Sequence, residues 1–129
     1  MIGTLTFAAV VAMSPAPVRG DFDGDGKIDT AEVTQSGRGQ YELIVHLARD
    51  ERAPVTVATF NELASLHVTT QRPGRHKTWC GKGGGPKDAP CPRREVTLSG
   101  DTLAFGTKEA SLMVAIWNGE SFDVIGLSD

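Results

Sequence analysis

The sequence predicts a mainly β protein, a small antiparallel sandwich or barrel, and three observations support this fold class. Short segments rich in β-branched and aromatic residues recur at regular spacing along the chain. Asn118-Gly119 lies between two apolar runs, and this pattern is typical of a hairpin because both residues accept a positive φ angle. No segment has the long 3.6-residue periodicity of an amphipathic helix. We therefore expect a chain of short antiparallel strands.

Seven segments are predicted as strands: residues 41–47, 55–60, 66–70, 95–98, 103–107, 112–117 and 121–127. Between the second and third of them, residues 61–66 are predicted to form a short helical turn. Apolar residues that alternate along the strands make up the predicted core, which is Leu43, Val45, Leu47, Val55, Val57, Leu66, Val68, Leu103, Phe105, Leu112, Val114, Ile116, Phe122, Val124 and Ile125.

The first 20 residues are predicted to be a secretory signal peptide. They contain an apolar run, followed by small residues and prolines, that is too short for a membrane-spanning helix of about 20 residues. We expect cleavage after Ala12 or Ala16, a single domain over residues 21–129 with no membrane span, and a secreted or periplasmic location. The alternative is that this segment forms a buried N-terminal strand.

The chain has two cysteines, Cys80 and Cys91, in a glycine-rich segment. In an oxidising compartment, two cysteines at this spacing are expected to form a disulfide that ties a long loop. The alternative is a thiolate metal site with His76 as a third ligand, but a structural zinc site requires four ligands.

Residues 21–32 account for the chain's net negative charge. This segment has five acidic residues and one lysine, a net charge of −4; Arg19 adds +1, and residues 33–129 contain 11 basic and 11 acidic residues, which together give the chain's −3. Carboxylates this close in sequence repel one another, and a bound cation would relieve the repulsion.

The spacing of these acids, DFDGDGKIDTAE, is typical of a calcium-binding loop. Gly26 would permit a sharp turn around the ion, and Ile28 is expected to anchor the loop to the core. Calcium prefers six to eight oxygen ligands. The predicted ligands are Asp21, Asp23, Asp25, the carbonyl of Lys27, Asp29 (directly or through water) and Glu32. The alternative is a disordered acidic stretch.

The flanks of the loop differ from those of an EF-hand, which requires a helix on each side. Pro15 and Pro17 precede the loop, and the alternating strand 41–47 follows it. In this β context the loop resembles the calcium loops of FG-GAP and VCBS repeats. The resemblance implies that Ca²⁺ is held by Asp21, Asp23, Asp25, the Lys27 carbonyl and Asp29; Glu32 has no firm counterpart there.

The sequence contains one copy of this loop, whereas repeat architectures require at least about three units, so a propeller is not expected. The wider pattern combines the calcium loop, a PGR..T.CGKG segment and a terminal W-N-G hairpin. It resembles small exported bacterial β proteins to which no activity is assigned.

Residues 72–94 form a predicted basic loop with seven basic residues and one acidic residue, a net charge of +6. Its candidate anion-binding residues are Arg72, Arg75, Lys77, Trp79, Lys82, Lys87, Arg93 and Arg94. An anionic cell-envelope component or an acidic protein would suit this charge, with nucleic acid the least expected partner. Alternatively, the cations are solvated and balance the acidic residues 95–129. Trp79 would either stack on a ligand or cover the disulfide.

No catalytic motif is evident, and His46 and His67 are predicted to face outward from their strands. The favoured function is an exported calcium-binding structural or binding module without catalytic residues. One alternative is an inhibitor or partner of a cell-wall enzyme that uses the basic loop. The other is a small secreted hydrolase or nuclease, with a site assembled from Glu42, His46, Glu51, Arg52 and His67.

Overall fold

The computed structural model of the protein describes residues 15–49, 54–107 and 112–128. Within these ranges the chain forms ten strands and one turn of 3₁₀ helix, Cys80–Lys82, so the predicted β class is confirmed. The strands are β1 Val18–Gly20, β2 Asp29–Gly37, β3 Gln40–His46, β4 Val55–Phe60, β5 His67–Gln71, β6 Gly74–Lys77, β7 Glu95–Leu98, β8 Thr102–Gly106, β9 Leu112–Trp117 and β10 Phe122–Ser128.

The strands form two four-stranded antiparallel sheets and one hairpin. The first sheet is a meander with the order β1-β2-β3-β4. The second has the order β10-β9-β8-β5. Strands β6 and β7 pair with each other as a separate two-stranded sheet. Each large sheet keeps two edge strands, so the described chain does not close into a barrel.

The main core lies between the two large sheets. Leu43 and Val45 of β3 pack in one cluster with Leu103 and Phe105 of β8, and all four side chains are fully buried. The rings of Phe60 and Phe105 meet edge to face, with centroids 5.8 Å apart. Because one cluster contains residues from both sheets, the sheets pack face to face as a sandwich.

The β6–β7 hairpin covers the outer face of the second sheet and forms a third layer. Val96 and Leu98 of β7 are buried against Ala104, Val114 and Leu127. The alternate residues of β7 are exposed, as expected for a strand with one face on a core. The Trp79 amide also donates to the Gly126 carbonyl of edge strand β10, at 2.8 Å. This layer fixes the position of the basic loop.

The predicted disulfide between Cys80 and Cys91 is confirmed, and the alternative thiolate metal site with His76 is wrong because both sulfurs are in the disulfide. The buried hydroxyl of Thr78 donates to the Arg93 carbonyl at 2.6 Å and accepts the Gly81 amide at 3.0 Å. A Cβ atom on Gly81 would overlap the Arg94 carbonyl oxygen, so glycine is required at this contact. The two ends of the loop are therefore held together beside the disulfide.

Three predicted strands coincide with β4, β7 and β9, and the other four differ by one residue at each end. Strands β1, β2 and β6 were not predicted. The sequence of β6, GRHK, has no apolar pattern, and three of its four residues are exposed. Residues 61–66 contain a single turn in which the Leu66 amide donates to the Leu63 carbonyl. Most predicted core residues are buried or partly buried, but Val124 is 41% exposed because β10 is an edge strand.

Residues 1–14 of the predicted signal peptide lie outside the described residues. Residues 18–20 pair with β2, and Gly20 is buried. Cleavage after Ala12 or Ala16 would therefore retain β1, and the predicted boundary at residue 20 stays a prediction. Among the described residues there is no helix long and apolar enough to cross a membrane.

The disulfide predicts a measurable loss of stability on its removal. The double variant Cys80→Ser/Cys91→Ser should lower the free energy of unfolding by about 2–3 kcal/mol, because the unfolded chain regains the entropy of an open loop. Urea denaturation of both proteins measures the difference. In excess reductant the wild-type curve should move onto that of the variant. Equal stability under oxidising conditions would contradict the account.

Candidate metal centre

The acidic loop, residues 21–28, connects β1 to β2, and Phe22 anchors it. The Phe22 side chain is 5% exposed and belongs to the main core. A Cβ atom at Gly20 would lie 2.7 Å from the Phe22 ring, so glycine makes room for it. The prediction that Ile28 is the anchor is wrong, since its side chain is 52% exposed. Asp29 starts β2 with its side chain inward, and the preceding residue therefore points outward.

Three carboxylates come together where this loop meets β2. One oxygen each from Asp21, Asp23 and Asp29 lies within 4.8 Å of the others. Calcium–oxygen distances are about 2.3–2.6 Å, so ligands on opposite sides of one ion are separated by roughly 5 Å. The spacing of the three oxygens therefore suits ligands of a single metal ion.

Hydrogen bonds from backbone amides to the carboxylates hold the loop in a turn around this group. The Asp21 carboxylate accepts the Asp25 amide at 3.1 Å and the Gly26 amide at 2.8 Å. The Asp25 carboxylate accepts the Lys27 amide at 2.9 Å. Gly26 has a φ angle of 89°, which confirms the sharp turn predicted at this glycine. Asp25 and Lys27 thus lie beside the three-carboxylate group and within the same turn.

Asp29 is a buried carboxylate with a structural role of its own. It is 1% exposed, and it accepts the Phe22 amide at 2.9 Å and the Ala48 amide at 2.8 Å. These bonds join the acidic loop, the start of β2 and the connection after β3. A buried carboxylate is tolerated where charge-assisted hydrogen bonds replace its hydration, as they do here.

Arg49 is the cation that the described chain places against the cluster. Its Nε atom lies 2.7 Å from Asp23 and 3.4 Å from Asp25. The guanidinium also lies 5.9 Å from the centre of the Trp117 ring, which belongs to the second sheet. Arg49 therefore offsets part of the loop's negative charge and links the loop to both sheets.

The two aspartates that share Arg49 differ in acidity. Burial raises the pKa of Asp23 above its ordinary value, and the adjacent Asp25 carboxyl raises it further, although Arg49 opposes the rise. The Lys27 amide lowers the pKa of Asp25. The Asp23 side chain has no exposed area, and an additional cation would stabilise its ionised form.

Glu32 is separate from the three-carboxylate group. It lies on β2, and its carboxylate is 2.6 Å from Nε2 of His46 on β3. Their strands pair in the register Thr30↔His46 and Glu32↔Ile44, so the two side chains are diagonal neighbours on the outer face of the sheet. The outward orientation predicted for His46 and for His67 is confirmed, since both residues are exposed.

Of the predicted basic-loop residues, Arg72 precedes β6, Arg75 and Lys77 lie on it, and the other five lie in the connection to β7. Arg75 forms an ion pair with Glu95 across the hairpin, at 3.0 Å. This is the one contact that matches the predicted balance between the loop and the acidic C-terminal third, as far as the described residues show. The Trp79 indole lies over Gly84, where a Cβ atom would overlap the ring. Trp79 also lines a recess together with both cysteines.

Arg49 is the site residue that sequence reasoning missed. The missing observation was β2, because residues 29–32 were interpreted as the end of a calcium loop and residues 33–37 were not assigned to a strand. Once β2 is paired with β3, an antiparallel register places the residues after His46 beside those before Thr30. A charged residue just beyond β3 would then be expected next to the acidic loop.

Replacement of Asp29 separates its structural role from metal binding. In the presence of a chelator, Asp29→Ala should lower the free energy of unfolding by about 2–4 kcal/mol, because two amides lose a charged acceptor. Asp21→Ala is the matched control. It should cost less than about 1 kcal/mol, since the amide closest to its carboxylate is exposed. Urea denaturation measures both, and similar losses would contradict the role assigned to Asp29.

Comparison of the chain with protein-family models, with curated proteins and with solved structures gave no match. The resemblance to FG-GAP and VCBS loops therefore stays a prediction that depends on the loop alone. The geometry supports a narrower statement, that Asp21, Asp23 and Asp29 form a group able to hold a metal ion.

Proposed function

We propose that the protein is an exported calcium-binding module in which the ion holds the acidic loop and β1 on the sandwich. The observation that carries the proposal is the convergence of Asp21, Asp23 and Asp29 to within 4.8 Å. The disulfide supports an oxidising compartment outside the cytoplasm. In such a compartment calcium is abundant, and structural sites for it can be weak.

The donor set favours calcium over other metals. The three ligands are carboxylate oxygens, which hard cations prefer, whereas zinc and copper sites are usually built with histidine or cysteine. Magnesium demands near-ideal octahedral geometry and retains several waters, while calcium accepts an irregular set of six to eight oxygens. Asp25 and the Lys27 carbonyl, in the same turn, are the residues that would complete the set. When bound, the ion supplies a charge of +2 to the carboxylates.

The position of the site explains how an ion would act on stability. Asp29 bonds the connection after β3, Asp23 bonds Arg49 beside Trp117, and Phe22 lies in the core. An ion shared by the aspartates would therefore link the loop to both sheets. A ligand present at 100 times its dissociation constant stabilises the folded state by about 2.7 kcal/mol. That is a large part of a small domain's stability.

The hydrolase alternative needs a histidine, a carboxylate and an arginine in one recess. His46, His67 and His76 lie on three different sheets, β3, β5 and β6 respectively. His46 and Glu32 meet on the open face of the first sheet, where the His46 side chain is 46% exposed. Glu51 and Arg52 lie outside the described residues. No observation favours catalysis over the proposed calcium-binding role.

Calcium should raise the thermal stability of the protein. With calcium at 100 times its dissociation constant, we expect the melting temperature to rise by roughly 10 °C relative to chelator, because the ion binds only the folded loop. Asp21→Asn should remove most of this rise while it keeps an acceptor for the loop amides. Differential scanning fluorimetry in calcium and in chelator measures the shift.

Glu120→Gln is the control for that experiment, since Glu120 is exposed in the turn before β10. It removes one negative charge from the chain but should retain the full calcium-dependent rise. If Asp21→Asn and Glu120→Gln reduced the rise equally, calcium would be acting on net charge and the proposed site would be wrong.

Arg49 should oppose calcium binding while it stabilises the calcium-free protein. Arg49→Gln removes a positive charge beside Asp23, so we expect calcium affinity to increase by roughly three- to tenfold at low ionic strength. The same variant should lose up to about 1 kcal/mol of stability in chelator, since the guanidinium is 42% exposed. Calorimetric titration and urea denaturation measure the two effects. A decrease in calcium affinity would contradict this arrangement.

A further inference from the structure

We propose that the β6–β7 loop, residues 78–94, is a preformed binding surface for an anionic polysaccharide. This surface lies on the third layer of the fold and shares no residue with the acidic loop, so the proposal does not depend on calcium binding. Three features of the described chain carry it: a rigid loop frame, exposed cations without carboxylate partners, and an aromatic ring in a glycine-lined recess.

The loop backbone is held by a dense set of bonds. The Thr78 amide donates to the Arg94 carbonyl at 3.0 Å, and the Lys82 amide donates to the Thr78 carbonyl at 3.0 Å. The disulfide closes the loop over 11 residues of sequence. The amide of Trp79 also bonds edge strand β10. A surface ordered in advance loses little conformational entropy when it binds a partner.

The exposed cations of this loop are available to a partner. Arg49 and Arg75 form ion pairs with carboxylates. Lys82, Lys87 and Arg94 are exposed and form no ion pair with any other residue in the described ranges. Unpaired cations on a rigid surface create a positive potential that attracts anions over about one Debye length.

Two recesses adjoin at Arg94. One, of about 470 Å³, is lined by Trp79, the disulfide, three glycines and Lys87. The other, of about 500 Å³, is lined by Lys77, Gly81 and Glu95. Arg94 lines both recesses, while Lys87 lines the first and Lys77 the second, so cations are distributed over this surface. Such a distribution suits a linear polymer with repeated negative charges better than a single small anion.

Trp79 gives the first recess an aromatic wall. Its side chain is 39% exposed, while the indole is supported by the backbone of Gly84 and Gly85. The flat C–H faces of pyranose rings stack on indole rings, and Gly84 and Gly85 pack against this indole while part of Trp79 stays exposed. The combination of one aromatic ring with flanking cations therefore points to a sugar unit that carries carboxylate, sulfate or phosphate groups.

Other anionic partners fit this surface less well. A membrane requires an apolar face to insert, and Trp79 is the one exposed large apolar residue that the described part of this loop presents. Single-stranded nucleic acid requires successive aromatic platforms. A protein interface usually has an apolar, well-packed centre, which a loop of glycines, prolines and lysines lacks.

The test is binding of the full chain to dextran sulfate, with neutral dextran of the same length as the matched polymer, at fixed calcium and increasing salt. We expect saturable binding to dextran sulfate alone, with an affinity that falls as salt rises because counterions are released. Lys87→Glu/Arg94→Glu should weaken binding by about tenfold or more. The milder Lys82→Gln/Lys87→Gln, which keeps Arg94, should weaken it by about threefold or more.

Arg19→Glu/Arg38→Glu is the charge-matched control, since both residues are exposed on the first sheet and its hairpin turn. It should bind within about twofold of the wild type, because these residues are remote from the loop. Equal loss in the control would overturn the proposal, as would absence of dextran sulfate binding. Tighter binding to duplex DNA or to phosphatidylglycerol vesicles, tested in parallel, would also overturn it.

Discussion

The buried carboxylate of Asp29 is the interaction on which the N-terminal half of the structure depends. It accepts the amides of Phe22 and Ala48, so one side chain positions the acidic loop, the start of β2 and the end of β3. A carboxylate that is 1% exposed requires these donors, and the donors in turn require the carboxylate. The acidic loop is therefore part of the folded unit, because its own backbone satisfies the buried charge.

The other carboxylates of the loop are stabilised by different partners. Backbone amides donate hydrogen bonds to the Asp21 and Asp25 carboxylates. The Arg49 guanidinium, in the connection after β3, donates to the Asp23 carboxylate. Arg49 neutralises only part of the charge, since one guanidinium faces two carboxylates. A calcium ion would complete the neutralisation without new protein contacts. Asp29 bonds distant parts of the fold, whereas Asp21 bonds only amides of its own loop. A substitution at Asp21 should therefore impair the proposed metal site while the fold is retained.

Sequence reasoning predicted the features that depend on local pattern. Alternation placed seven strands to within one residue, and the spacing of aspartates led to the three-carboxylate group. It failed where the structure depends on pairing between distant residues. Strand β2 has only Ala31 and Val33 as apolar residues, so its register with β3, and with it the position of Arg49, was not evident. Glu32 was assigned to the ion because its strand was interpreted as a loop.

The most direct test of the central claim is calorimetric titration of calcium into the chelator-treated full chain. The account predicts one equivalent of calcium, bound with a dissociation constant of about 10⁻⁴–10⁻³ M. It also predicts that Asp21→Asn abolishes the heat of binding while the fold is retained. No heat in the wild type, or undiminished binding in the variant, would contradict it. The carboxylates would then be satisfied by Arg49 and the loop amides alone.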